Sequence, residues 1–169
     1  MAQRCAAIQG GPPDITFTNR LDLWCGTTRI ELHEFAIHEY GHIATYLPAQ
    51  KILLAADMLE DPLWIFNFEC APPERQVAEL QRMAAMDIER IYPTHGDLDT
   101  IRKRGYDKRF IASSIHYLQR MLAQRREADF MSREASVFIA AELAAGELHW
   151  WAPYARVHEC NRRVVANLA

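Results

Sequence analysis

The sequence predicts an α/β or α+β layered fold, and three observations carry that reading. Hydrophobicity alternates with a period of two in the first sixty residues. A helical stripe and one short strand follow, up to about residue 95. Beyond Thr100 every apolar pattern repeats at three to four residues. The chain has 169 residues, 50% hydrophobic and 24% charged, enough for one domain with a real core and too apolar for a disordered chain. No apolar run reaches the roughly 18 residues of a membrane span. The net charge of −3 gives no reason to expect a nucleic-acid partner. It is unevenly divided: −8 over residues 1–100 and +5 over 101–169. That seam separates a strand-rich unit, 1–100, from a helical extension, 101–169. Met1 to Pro13 has one basic residue and no apolar stretch, so no secretory signal is expected. Cys5, Cys25, Cys70 and Cys160 are scattered without a C-x-x-C pair, which points to reduced thiols and a cytoplasmic location.

The elements follow in order. Ile15 to Thr18 is short and β-branched, a first strand. Thr28 to Phe35 alternates Ile30 and Leu32 with Arg29, Glu31 and His33, a half-buried strand with His33 turned to solvent. Ile43–Leu47 and Lys51–Ala56 flank Pro48-Ala49-Gln50 as a hairpin, its second arm apolar enough to be buried on both faces. Pro72-Pro73 opens a helix with the stripe Val77, Leu80, Ala84. Glu89 to Pro93 is a strand running into the loop Thr94-His95-Gly96-Asp97. Ile111, Ile115, Leu118 and Leu122 mark the next helix. Another runs from Ser132, an N-cap candidate, to Gly146. The last covers Pro153 to Leu168.

Chemistry concentrates at three loops beside strand ends: His38 in Ile37-His38-Glu39-Tyr40-Gly41-His42, Asp57 after the strand Lys51–Ala56, and His95 after Tyr92-Pro93. Singly, each has an ordinary explanation, a surface histidine or a turn-capping aspartate. Together, two imidazoles and a carboxylate suit a three-ligand zinc site with a fourth position left for water. Such a metal lowers the pKa of bound water and supplies a nucleophile.

The run Leu21 to Asp97 resembles the second half of a metallo-β-lactamase superfamily domain. The matching stretches are His38-Glu39-Tyr40-Gly41-His42, Tyr46-Leu47-Pro48, Lys51-Ile52-Leu53-Leu54-Ala55-Ala56-Asp57 and Pro93-Thr94-His95-Gly96-Asp97, with intervals of 19 and 38 residues between the three ligand candidates. The resemblance covers about half the chain. It implies half of an αββα sandwich, a mixed sheet with helices on one face, followed by the all-helical C-terminal segment. It implies that His38 binds a first zinc, Asp57 bridges two, and His95 binds the second. The activity it implies is attack of metal-bound hydroxide on an ester, thioester, lactone, amide or phosphoester of a small-molecule substrate.

The departures are specific. Glu39 stands where the family has threonine, His42 where it has an acidic residue, Ala56 and Thr94 where it has glycine. The family's first-half motif, H-x-H-x-D-H, has no counterpart. One zinc ion at most is therefore expected in this chain alone, on His38, Asp57 and His95, with His42 or Glu39 as candidates for a fourth ligand. A half-sandwich leaves one sheet face apolar, so a homodimer or association with an N-terminal half is expected. The alternative to a hydrolase is a non-catalytic truncated or split half-domain that dimerises or completes another chain. His158 and Asn161 share one side of the last helix with Tyr154; a buried hydrogen-bond network is the favoured reading, contact with substrate the alternative. Trp150-Trp151 are read as core or interface, and Arg102, Lys103, Arg104, Lys108 and Arg109 as a solvated helix face or an anion-attracting rim.

Overall fold

The computed structural model describes residues 11–61, 65 and 71–168. Cys5, Cys70 and the first ten residues lie outside them. The strands are β1 (Arg20–Cys25), β2 (Thr28–Ile37), β3 (Glu39–Leu47), β4 (Ile52–Ala56) and β5 (Arg90–Pro93). They form one sheet in chain order, β1-β2-β3-β4-β5. The first three pairings are antiparallel and β4–β5 is parallel. The parallel pair needs a crossover, which α1 (Pro73–Ala84) supplies. Its Pro73 occupies the first helical turn, where a missing N–H is harmless.

The predicted strand at Ile15–Thr18 is irregular chain; the sheet begins instead at Arg20, where Leu21 and Leu23 alternate with Arg20 and Asp22. The β3–β4 hairpin forms as expected around Pro48 to Lys51.

The two sheet faces differ. Glu31, His33 and Phe35 of β2, Ala44 and Tyr46 of β3, Leu53 of β4 and Ile91 of β5 share the face that α1 covers. Phe35, Leu53 and Ile91 are buried there, and the Arg82 guanidinium lies 3.9 Å from the centre of the Phe35 ring. His33 thus faces the helical layer rather than solvent, because its partner Glu31 is buried and accepts its ring Nε2–H at 2.8 Å. The opposite face carries Leu21, Leu23, Ile30, Leu32, Ile43, Leu47, Ile52, Leu54 and Tyr92. It is open: Leu23, Ile43 and Leu54 remain about two-fifths exposed, at 39%, 40% and 42%. β4 is therefore buried on one face only, contrary to expectation, since among the described residues no second layer covers the other.

The helical segment packs on α1. Its elements are α2 (Leu98–Lys103), α3 (Arg109–Gln124), a single 3₁₀ turn (Phe130–Ser132), α4 (Ala135–Phe138), α5 (Ala140–Ala144) and α6 (Tyr154–Ala166). Ile111, Leu118 and Met121 of α3 are fully buried. The single helix predicted from Ser132 to Gly146 is broken at Ile139, whose φ of −127° and ψ of 22° leave the helical region. Fully buried Ile139 and Phe138 gain more from packing than from helical continuity. Gly146 does end the last piece, at φ +66°. Among the described residues, no helix is long and apolar enough to cross a membrane, and Cys25 and Cys160 are free thiols.

Candidate metal centre

His38, Asp57 and His95 converge although they lie far apart in sequence, because β2–β3, β4 and β5 end at one edge of the sheet. His38 is the single residue between β2 and β3, and it sits at φ +68°. Ala56, the last residue of β4, sits at φ +48° beside a β-bulge. Both are left-handed backbone positions that cost a non-glycine residue about 1–2 kcal/mol. They turn His38 and the Asp57 carboxylate towards one another's loop. The Thr94 N–H donates to the Ala56 carbonyl at 3.0 Å, tying the His95 loop to the Asp57 loop.

The His95 loop has its own support. The Asp97 carboxylate caps α2 by accepting the Thr100 N–H at 2.7 Å. The Asp97 N–H in turn donates to the Tyr106 hydroxyl at 2.6 Å. Gly96 is required there: a Cβ would lie 2.7 Å from that hydroxyl.

His38, Asp57, Glu60, His95, Trp151, Pro153, Tyr154 and Val157 line one cavity of about 390 Å³. The His95 Nε2 lies 3.5 Å from Asp57 Oδ1. Asp57, Glu60 and His95 each place a ligand atom within 4.8 Å of the others. Asp57 Oδ1 is buried and accepts no hydrogen bond among the described residues. A buried carboxylate oxygen without a donor, facing an imidazole nitrogen, fits a cation. Burial and the neighbouring His42 lower the His38 pKa, so His38 presents a neutral, ligating imidazole.

The other predicted residues fall elsewhere. Glu39 is exposed at the start of β3. His42 packs its ring on that of His38, 5.5 Å between centres, and does not line the cavity. His158 and Asn161 are buried, 2% and 0% exposed, and form a closed network. The Ile65 N–H donates to Asn161 Oδ1 at 2.6 Å and Asn161 Nδ2 donates to the Tyr117 hydroxyl at 2.9 Å. Tyr117 and His158 Nδ1 lie 2.8 Å apart, and His158 Nε2 is 3.1 Å from the Arg133 carbonyl. The carbonyl can only accept, so Nε2 carries the proton and Nδ1 accepts from Tyr117. Every polar atom of this network points into the core, and neither residue reaches the cavity.

Glu60 was not anticipated. It is 2% exposed, its Oε1 lies 3.6 Å from His38 Nε2, and its Oε2 accepts the Tyr154 hydroxyl at 2.8 Å. Burial raises its pKa. No local sequence pattern marks it: its burial beside Met58 and Leu59 and its contact with Tyr154 appear only in the folded chain. Next to it, Asp61 accepts the His149 N–H at 2.8 Å, and burial pushes its pKa up to about 6. Trp150 and Trp151 are exposed rather than core, 43% and 62%, and with Asp61, Thr94, His95, Leu98 and Tyr154 they wall an adjoining cavity of about 460 Å³.

No family model and no curated protein matches the sequence. Solved structures do match. A metallo-β-lactamase from Pontibacter korlensis superposes with a TM-score of 0.53 at 22% identity, over 70% of this chain and 54% of that one. A metallo-β-lactamase family protein from Thermus thermophilus superposes with a TM-score of 0.54 at 18% identity, over 68% of this chain and 38% of that one. The chain carries part of the metallo-β-lactamase fold, as a layered mixed sheet with a helical C-terminal segment, and spans about half or less of those neighbours' length.

Proposed function

We propose that the chain is the metal-binding half of a zinc-dependent hydrolase that acts on a small ester, thioester, lactone, amide or phosphoester. The observation that carries this reading is that His38, Asp57 and His95 line one cavity, with the donorless Asp57 Oδ1 3.5 Å from the His95 imidazole. A divalent ion held there would lower the pKa of a bound water and polarise the scissile group. His38 and His95 would supply nitrogen donors and Asp57 an oxygen donor. Trp151, Pro153 and Tyr154 wall one side of the cavity.

The open sheet face supports the second reading, a half-domain that completes another chain. Nine apolar side chains in register across five strands form a surface of the kind the inner layer of a sandwich buries, at about 25 cal/mol per Å². The structural neighbours extend well beyond the matched region. The occupant that fits is therefore a complementary half-sheet, with a second copy of this chain as the rival.

Metal content and hydrolysis of a panel of generic esters and phosphodiesters test the two readings together. Stoichiometric zinc that is lost in His38→Ala and Asp57→Ala, together with hydrolysis that falls in parallel, is the expected result for the hydrolase. Zinc-free protein with unaltered stability in both variants would leave only the half-domain.

A further inference from the structure

Resting on the metal-site reading, we infer that Glu60 is a ligand of the same ion, and that Tyr154 of α6 is the residue that positions it. The chain would then offer one divalent cation four side chains of its own, His38, Asp57, Glu60 and His95, and a five-coordinate ion would keep its fifth position for water.

The distances support this. An ion with bonds of about 2.1 Å sets neighbouring ligand atoms about 3.0–3.6 Å apart, whether it takes four or five ligands. Two such edges are present, His95 Nε2 to Asp57 Oδ1 at 3.5 Å and His38 Nε2 to Glu60 Oε1 at 3.6 Å. Both are too long for hydrogen bonds, which would close to about 2.7–3.2 Å. Imidazole and carboxylate thus stand at the spacing of two ligands of one ion. Asp57, Glu60 and His95 also lie mutually within 4.8 Å; His38 is not in that group and adjoins it through Glu60.

Burial adds a second line. A carboxylate 2% exposed needs a compensating partner. Tyr154 occupies only Oε2, with its hydroxyl donating at 2.8 Å. Oε1 is left directed at His38 and the cavity. A ligating carboxylate held by an outer hydrogen bond is the usual arrangement at a metal centre. The contact spans 94 residues, so α6 contributes to the metal site only through this hydroxyl and the cavity wall. Two carboxylates and two imidazoles make a harder donor set than three histidines, and so also admit manganese or iron.

The test is Co²⁺ and Zn²⁺ titration of the full chain against a competing chelator. The visible Co²⁺ spectrum reports the ligand set, and the melting temperature of the metal-free protein controls for folding. In Glu60→Gln, Co²⁺ affinity is expected to fall by about 100-fold or more with a changed spectrum. Tyr154→Phe, which only frees the carboxylate, is expected to lose about 10-fold. If Glu60→Gln fails to fold, Glu60→Asp keeps the charge and shifts the oxygen, and its spectrum decides in the same way. Wild-type affinity and spectrum in the Glu60 variants, with binding abolished in Asp57→Ala, would overturn the role of Glu60 and leave the metal site standing. A wild-type chain that takes up neither ion would overturn both.

Discussion

At the scale of single residues, burial decides chemistry more than residue type does. His158 and His38 are both imidazoles on an apolar background, yet one is sealed among Tyr117, Asn161 and the Arg133 carbonyl while the other lines a cavity. Burial holds the His158 pKa down at about 4, below the ordinary 6.5. Between those values the unfolded chain binds the extra proton, so stability rises with pH through this window and is lost as pH falls from 6.5 towards 4. The loss amounts to about 3 kcal/mol at most. Urea unfolding at about pH 7 and about pH 4.5 is expected to show this drop in the wild type and a smaller one in His158→Phe. Equal drops would show that other groups set the acid limit. The positions of His38, Asp57 and His95 were legible because each follows a strand whose alternation or apolar run is plain. Glu60 was not legible, because what buries it is Tyr154, 94 residues further on, and no local pattern encodes that contact.

At the scale of elements, the strands and long helices were read from their periodicity, and the failures occur where tertiary packing overrides a local pattern. Ser132 to Gly146 has helical composition, but Phe138 and Ile139 are both fully buried, and the chain breaks between them to achieve this. Conversely, α2 is six residues long and has no buried side chain, so it carries no stripe to read. It exists through its Asp97 cap and the turn that ends it at Gly105. Gly105 sits at φ +74°, and a Cβ there would lie 2.6 Å from the Ile91 carbonyl oxygen. Gly105→Ala is expected to cost about 2–3 kcal/mol. It should also weaken metal binding, because Tyr106, the next residue, pairs with Ile91 and holds the Asp97 N–H under the His95 loop. Chemical denaturation and chelator competition on the same variant check both; an unchanged metal affinity would uncouple the turn from the site.

At the scale of the whole molecule, the described residues cover one face of the sheet with helices and leave the other largely open. The covered face reads as a normal core. Replacing Leu23 and Leu54 with serine is expected to change the unfolding free energy of the isolated chain by less than about 1 kcal/mol, since both are already two-fifths exposed. It should reduce binding of the hydrophobic dye ANS and any self-association seen in sedimentation. A large destabilisation would show that the face is internal after all. The sequence could foretell an uncovered face from the absent first motif, but not which side chains would form it: Ile30 and Leu32 were assigned to one side of β2 without knowing that α1 packs on the other.

The strand order has a kinetic meaning as well. Each strand pairs with its neighbour in the chain, so three of the four pairings close through loops of a few residues, and only β4–β5 must wait for a crossover of 33 residues containing α1. Short closures lose little chain entropy and form early; the long parallel closure sets the slow step. The ligand residues divide along the same boundary. His38 and Asp57 belong to the part that zips up locally, and His95 to the strand that docks last. The candidate metal site thus waits on the long-range pairing of the sheet, and a cation that bridged Asp57 and His95 would fasten that pairing shut.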